Sequence, residues 1–112
     1  MKKCGIGVVL VVLMAGIAQA HPPSDIQIAF DPQSKILSAV ISHPVSNPAN
    51  HYIEKVDVAV NGREILMHEI SRQDDHQVQK ISYLIPDLKS GDEIAVEAYC
   101  SISGKLEKEI KA

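Results

Sequence analysis

The stretch IEKVDVAVNGREILMHEI, residues 53–70, decides the fold class of this chain. Apolar and polar residues alternate on both sides of Asn61-Gly62, and a period of two is typical of a half-buried strand. Asn and Gly both tolerate positive φ, so this pair predicts a tight two-residue hairpin turn. We therefore predict two antiparallel strands, Ile53–Val60 and Arg63–Ile70.

Five further segments with the same alternation flank this hairpin, and Pro, Gly, Asn and Asp separate them at intervals of about ten residues. They are Asp25–Phe30, Lys35–Ser42, Gln77–Ile85, Glu93–Cys100 and Lys105–Ile110. About seven short strands predict an all-β domain with an immunoglobulin-like sandwich. The last segment, Lys105–Ala112, has an alternative as a helix, because Leu106 and Ile110 are four residues apart.

The first 20 residues are typical of a secretory signal peptide. Lys2 and Lys3 precede an apolar stretch from Ile6 to Ile17, and Ala18-Gln19-Ala20 fits the small-x-small cleavage pattern. We predict cleavage after Ala20 and a periplasmic or secreted domain over residues 21–112. The apolar stretch is shorter than the roughly 20 residues of a membrane span, so no stable span is expected after cleavage. The alternative is an uncleaved N-terminal anchor.

Composition limits what this domain can be. The chain has 11 Lys+Arg against 14 Asp+Glu, and loss of Lys2 and Lys3 makes the balance more acidic. An acidic surface argues against nucleic acid or an anionic membrane as partner. Cys4 would leave with the signal, so Cys100 would be the only thiol and no internal disulfide could form. A domain this small must then be held together by its core or by a metal.

Four potential metal ligands fall at predicted strand ends and loops: His21, His43, His51 and Cys100. Imidazole and thiolate suit iron, zinc or copper better than magnesium or calcium. The alternative is a small buried cysteine with scattered surface histidines. Strand parity leaves open whether Cys100 points into a site or into the core.

The two remaining histidines are predicted to be surface residues. His68 lies on the predicted strand Arg63–Ile70, and His76 belongs to a polar turn over residues 72–77.

Three segments resemble the iron-binding domain of superoxide reductases, the desulfoferrodoxin and neelaredoxin family. They are His43-Pro44, His51-Tyr52-Ile53-Glu54 and Tyr99-Cys100-Ser101-Ile102-Ser103-Gly104. His21-Pro22-Pro23 falls where the family has an earlier iron-binding loop. The resemblance implies a sandwich with a non-haem iron (Fe²⁺/Fe³⁺) that reduces superoxide to hydrogen peroxide with electrons from a small donor protein.

The resemblance also implies a role for each matched residue. His43 and His51 would bind iron in a plane with His21, and the Cys100 thiolate would bind on the axis. Tyr52 and Glu54 would orient the segment that carries His51. Ser103 stands where the family has its last histidine, so one imidazole of the family set is missing.

Two alternatives of different kinds remain open. If cleavage occurs after Ala20, the α-amino group and imidazole of His21 could chelate copper or zinc as a histidine brace, without turnover. Otherwise the domain could be a metal-free sandwich that acts as an interaction module.

Overall fold

The computed structural model describes residues 21–112, which form seven β-strands and no helix. The strands are β1 (Asp25–Asp31), β2 (Ile36–Ser42), β3 (Ile53–Val60), β4 (Arg63–Glu69), β5 (Val78–Leu84), β6 (Glu93–Cys100) and β7 (Lys105–Lys111). The prediction of a seven-strand all-β domain is confirmed, and the helical alternative for the last segment is wrong. The predicted signal peptide, residues 1–20, lies outside the described residues.

Two antiparallel sheets form the sandwich. One has the order β1-β2-β5 and the other the order β4-β3-β6-β7. The predicted hairpin joins β3 to β4, and both of its turn residues have positive φ, 52° at Asn61 and 83° at Gly62. Within residues 21–112, no helix is long and apolar enough to cross a membrane.

The core lies between the sheets and is built from the inward positions of alternating strands. On β6 the buried residues are Ile94, Val96, Ala98 and Cys100, so the side chain of Cys100 belongs to the inner face. On β3 the strict alternation breaks, because Ile53 and Val56 are both buried although they are three positions apart, an odd spacing that would put them on opposite faces of a regular strand. A register shift between Ile53 and Lys55 in the β3–β6 pairing causes this change of parity.

The predicted ligands gather at one end of the sandwich. The start of β1, the end of β2, the start of β3 and the end of β6 all meet there. Three connections cover this end: residues 43–52 between β2 and β3, 70–77 between β4 and β5, and 101–104 between β6 and β7. Gln73 N–H donates to the Pro48 carbonyl at 3.1 Å and so joins the first two connections.

The two lateral sides of the sandwich differ. On one side β1 packs against β7, where the Lys108 ammonium lies 3.5 Å from the Asp25 carboxylate. On the other side β4 and β5 are the sheet edges, and the Tyr83 hydroxyl bonds His68 Nδ1 at 2.8 Å across the gap. His68 is exposed, as predicted, and its ring also meets the Tyr83 ring edge-on.

The pKa of Tyr83 leads to a prediction about the stability of the domain at alkaline pH. Burial raises its pKa to about 12 from the ordinary value of 10, because the charged phenolate is poorly solvated there. The folded state therefore holds this proton more tightly than the unfolded chain. The contribution of this proton to the free energy of unfolding is fully present below pH 10 and is lost as the pH rises through 12.

The matching measurement is an alkaline absorbance titration of wild type and Tyr83→Phe. The difference between the two curves isolates Tyr83, and we expect a midpoint near pH 12. A difference curve centred at pH 10 would show that Tyr83 is not buried as described.

Candidate metal centre

Three histidines converge at the loop end of the sandwich. His21 lies ahead of β1, His43 directly follows β2, and His51 lies two residues before β3. Each offers a ring nitrogen, and the three nitrogens lie within 4.8 Å of one another. The ring centroids are 4.9–5.2 Å apart. The predicted histidines are thus side by side, at a spacing that one ion could bridge after small rotations.

Gln73 determines the tautomer of His43, and both side chains are fully buried. The Gln73 amide nitrogen donates to the carbonyls of His43 (2.7 Å) and Asp75 (3.1 Å). Its Oε1 accepts from Ile53 N–H at 3.2 Å. These partners fix which end of the amide is oxygen, so His43 Nδ1, 2.8 Å from Oε1, must carry the proton. The lone pair of neutral His43 is therefore on Nε2.

His43 Nε2 faces another acceptor, the His21 carbonyl oxygen, at 3.4 Å. If His43 is neutral, two lone pairs point at each other in a part-buried site and no hydrogen bond forms. A cation beside Nε2, or a second proton on the ring, relieves this arrangement.

His21 has the same tautomer as His43. Its Nδ1 lies 3.1 Å from the Pro22 carbonyl, which can only accept, so Nδ1 donates and Nε2 keeps the lone pair. In metal sites, a histidine ligand usually donates its other ring N–H to a carbonyl or carboxylate, which fixes the ring and its tautomer. Both His21 and His43 show this pattern.

His51 joins the cluster to Cys100. Its Nε2 lies 3.3 Å from the Cys100 sulfur, and the sulfur also accepts from Ile102 N–H at 3.4 Å. Two atoms bound to one zinc-like ion at about 2.1 and 2.3 Å lie roughly 3 to 3.6 Å apart, so this separation suits a shared metal. Cys100 is outside the three-histidine group and reaches it through His51.

The protonation of His51 also suits a ligand. Burial lowers its pKa below the ordinary value of 6.5, and the neighbouring His43 and His21 lower it further by charge repulsion. A lowered pKa keeps the ring neutral at pH 7, and only the neutral ring can bind a metal.

The other residues that the resemblance singles out lie around this cluster. Tyr52 N–H donates to Ser101 Oγ at 3.1 Å, and Ser101 N–H donates to the Tyr52 carbonyl at 2.8 Å. These bonds join the segment of His51 to the turn that follows Cys100. Glu54 and Ser103 are exposed and lie outside the three-histidine group.

Gly104 holds the N-terminal segment against the β6–β7 turn. Its φ is +89°, and a Cβ on Gly104 would lie 2.8 Å from the Pro22 Cβ and 3.2 Å from the Pro22 backbone. Such contacts are too close, so a side chain at Gly104 would push Pro22 and the adjacent His21 away.

Gly104→Ala is therefore expected to weaken metal binding by displacing His21. Gly91→Ala is the matched control, because Gly91 has nearly the same φ, +92°, and its Cβ would meet nothing within 4 Å. Backbone strain of about 1 kcal/mol should appear in both variants. Isothermal titration should show a loss of affinity in Gly104→Ala only, and equal affinities in the two variants would contradict this role of Gly104.

A surface cleft of about 630 Å³ opens beside the cluster. Its walls include His21, His51, Asn50 and His76. His76 is exposed, as predicted, and its Nδ1 donates to the Val45 carbonyl at 3.2 Å. The cleft gives solvent and small molecules a route to the histidines.

Gln73 is a residue of this site that the sequence did not reveal. It lies in a polar segment predicted to be a solvated turn, and nothing in the sequence separates Gln73 from the exposed Gln77 of the same segment. Its position becomes apparent only when residues 70–77 fold over the connection between β2 and β3.

No protein-family model matches the chain, and no curated protein sequence matches it. The resemblance to superoxide reductases therefore rests on the segments around His21, His43, His51 and Cys100 alone.

Proposed function

We propose that this domain binds one transition-metal ion through His21, His43 and His51. The observation that carries the proposal is the cluster of three imidazoles, in which the Gln73–His43 hydrogen bond leaves the lone pair of His43 on Nε2 and one nitrogen of each ring lies within 4.8 Å of the others. The donors are imidazoles with a thiol beside them and no carboxylate, which favours iron, copper or zinc over calcium or magnesium.

Iron in a superoxide reductase-like site is the first candidate. It is supported by the resemblance and by the contact between the Cys100 sulfur and His51 Nε2. A bound iron would supply one-electron chemistry with superoxide, and a small exported donor protein would supply the electrons. The chain would offer three imidazoles and one thiolate, because Ser103 replaces the fourth imidazole of the family and lies outside the group.

A copper or zinc site with a histidine brace is the second candidate. Its specific support is the short distance from the main chain of His21 to His43 Nε2, 3.4 Å at the carbonyl oxygen. Cleavage after Ala20 would place a free α-amino group on this same residue. An amine with a pKa near 8 is partly deprotonated at neutral pH and can bind copper.

The test is a metal titration of the exported protein, purified without oxygen and confirmed by mass to begin at His21. Iron, copper and zinc are compared, and we expect one ion per chain for the preferred metal. For iron, the oxidised form should show a thiolate charge-transfer band that Cys100→Ser removes. For copper, acetylation of the α-amino group should weaken binding strongly. Binding of none of the three metals would refute the proposal.

A further inference from the structure

Asn61 is bonded to the start of β6 through both ends of its side chain. The Asn61 Nδ2 group donates to the Asp92 carboxylate at 3.1 Å, and Asn61 Oδ1 accepts from Glu93 N–H at 2.9 Å. The Asn61 backbone N–H also donates to the Glu93 carbonyl at 2.8 Å. These bonds join the β3–β4 turn to the connection between β5 and β6, at the end of the sandwich opposite the histidines.

The same connection holds the end of β7. Gly91 N–H donates to the Ala112 carbonyl at 2.9 Å, and Ala112 N–H donates to the Asp92 carbonyl at 2.8 Å. Hydrogen bonds from Lys89 N–H and from the Asn61 side chain hold the pKa of Asp92 below its ordinary value of 3.8. The Asp92 carboxylate is therefore charged at neutral pH, and it requires a donor at position 61.

The residue after Asn61 makes this asparagine chemically labile. Asparagine is a labile residue because the backbone nitrogen of the next residue can attack its side-chain Cγ, and glycine, which has no Cβ, obstructs this attack least. Asn61 and Gly62 are both exposed, and a Cβ on Gly62 would meet no atom of the described residues within 4 Å. The other asparagines are less suited, since Asn47 precedes a proline, which has no N–H, and Asn50 precedes the bulkier His51.

We propose that Asn61 is a deamidation site, that the folded domain suppresses the reaction, and that the product carboxylate loosens this end of the sandwich. In the reaction the Gly62 nitrogen bonds to Asn61 Cγ and closes a succinimide ring, and the side-chain nitrogen leaves as ammonia with the Gly62 proton. Water then opens the ring at either carbonyl and leaves an aspartate or an isoaspartate. The reaction consumes one water and releases one ammonia, and nothing is oxidised or reduced.

The hydrogen bonds of the Asn61 side chain account for both the suppression and the effect of the product. Closing the ring turns the amide toward the Gly62 nitrogen, so the side chain must first release Asp92 and Glu93. After deamidation, one carboxylate oxygen can still accept from Glu93 N–H, but the other faces the Asp92 carboxylate without a proton between them. Two like charges then replace a hydrogen bond between β3–β4 and the connection that holds β7.

The suppression is tested by mass spectrometry of proteolytic peptides after incubation at mildly alkaline pH. Folded wild type should deamidate at Asn61 about tenfold more slowly, or slower still, than the same chain in concentrated urea, as expected for a hydrogen bond to a charged group. Folded Asp92→Ala, which lacks the acceptor of Nδ2, should react faster than folded wild type. In urea, Gly62→Ala should slow the reaction, and Asn50 should keep its amide. Equal rates at Asn61 in the folded and unfolded chain would overturn the suppression.

The effect of the product is tested with Asn61→Asp, which reproduces the aspartate form. Its melting temperature should lie about 5 °C below that of wild type. Adding Asp92→Asn should recover most of this loss, because the exchanged pair again sets an amide donor opposite a carboxylate. Gln27→Glu makes the same change of side chain at an exposed position of β1 and is the control, with no loss expected.

An Asn61→Asp variant as stable as wild type, or a loss that Asp92→Asn does not recover, would overturn the proposed effect of the product. Zinc affinity is measured in the same variants and should equal that of wild type, since the histidines lie at the other end of the sandwich. The outcome is therefore independent of whether the domain binds a metal.

Discussion

Replacing Gln73 with alanine is expected to lower the free energy of unfolding by about 3 kcal/mol or more, the range for breaking a buried hydrogen-bond network. Gln73 is fully buried and makes hydrogen bonds with His43, Ile53 and Asp75. Its removal leaves the Ile53 N–H and the His43 ring and carbonyl without these partners. Urea unfolding followed by circular dichroism measures the loss.

The same substitution should weaken metal binding by about 10–100-fold, as is usual when the partner of a metal-ligating histidine is removed. Without Oε1, His43 can turn or change tautomer, so Nε2 no longer has a fixed lone pair. The affinity is measured below the unfolding transition of the variant, so that the folded state is compared with wild type.

Gln77→Ala is the matched control for both measurements. Gln77 lies in the same connection and its side chain is exposed, so stability and affinity should stay within error of wild type. If Gln73→Ala behaved like Gln77→Ala, the buried amide would not support His43, and the argument that places the lone pair of His43 on Nε2 would fail.

Replacing His51 with alanine is expected to have the largest effect on metal affinity, a loss of more than about 100-fold. Loss of a residue that only hydrogen-bonds to a metal ligand costs up to about 100-fold, and loss of a ligand itself should cost more. His51 is the one imidazole that touches both the histidine group and the Cys100 sulfur. It is only half-buried, so the fold should survive the change and the loss can be assigned to the site.

His76→Ala provides the comparison, because His76 lines the same cleft but lies outside the three-histidine group. It should bind metal as wild type does. Competition with a chromophoric chelator measures both affinities. Equal losses in the two variants would mean that the metal sits in the cleft generally and not at the proposed cluster.

The strands were predictable because their signals are local. Alternation and the Asn61-Gly62 turn depend on adjacent residues, and every observed strand end agrees with the predicted one within one residue. The secondary structure of the C-terminal segment, Lys105–Ala112, was ambiguous, since the spacing of Leu106 and Ile110 fits a helix as well as a strand. Pairing of β7 with β6 decides for the strand.

The site was less predictable because it depends on packing between segments far apart in the chain. His21, His43 and His51 could be singled out as ligand types, but their meeting requires three connections to converge. The orientation of Cys100 follows from which β6 residues face the core, and parity alone did not settle it. Gln73 and Gly104 act through contacts with His43 and Pro22 that no sequence pattern marks.

The most direct test of the account is a nuclear magnetic resonance study of the histidine rings with one equivalent of Zn²⁺, a diamagnetic probe. The account predicts that the ring nitrogens of His21, His43 and His51 shift on binding while those of His68 and His76 do not. In His21 and His43 the shifted nitrogen should be Nε2, with Nδ1 still protonated toward Pro22 and Gln73. Unchanged rings, or binding at His68 and His76 instead, would contradict the proposed metal centre.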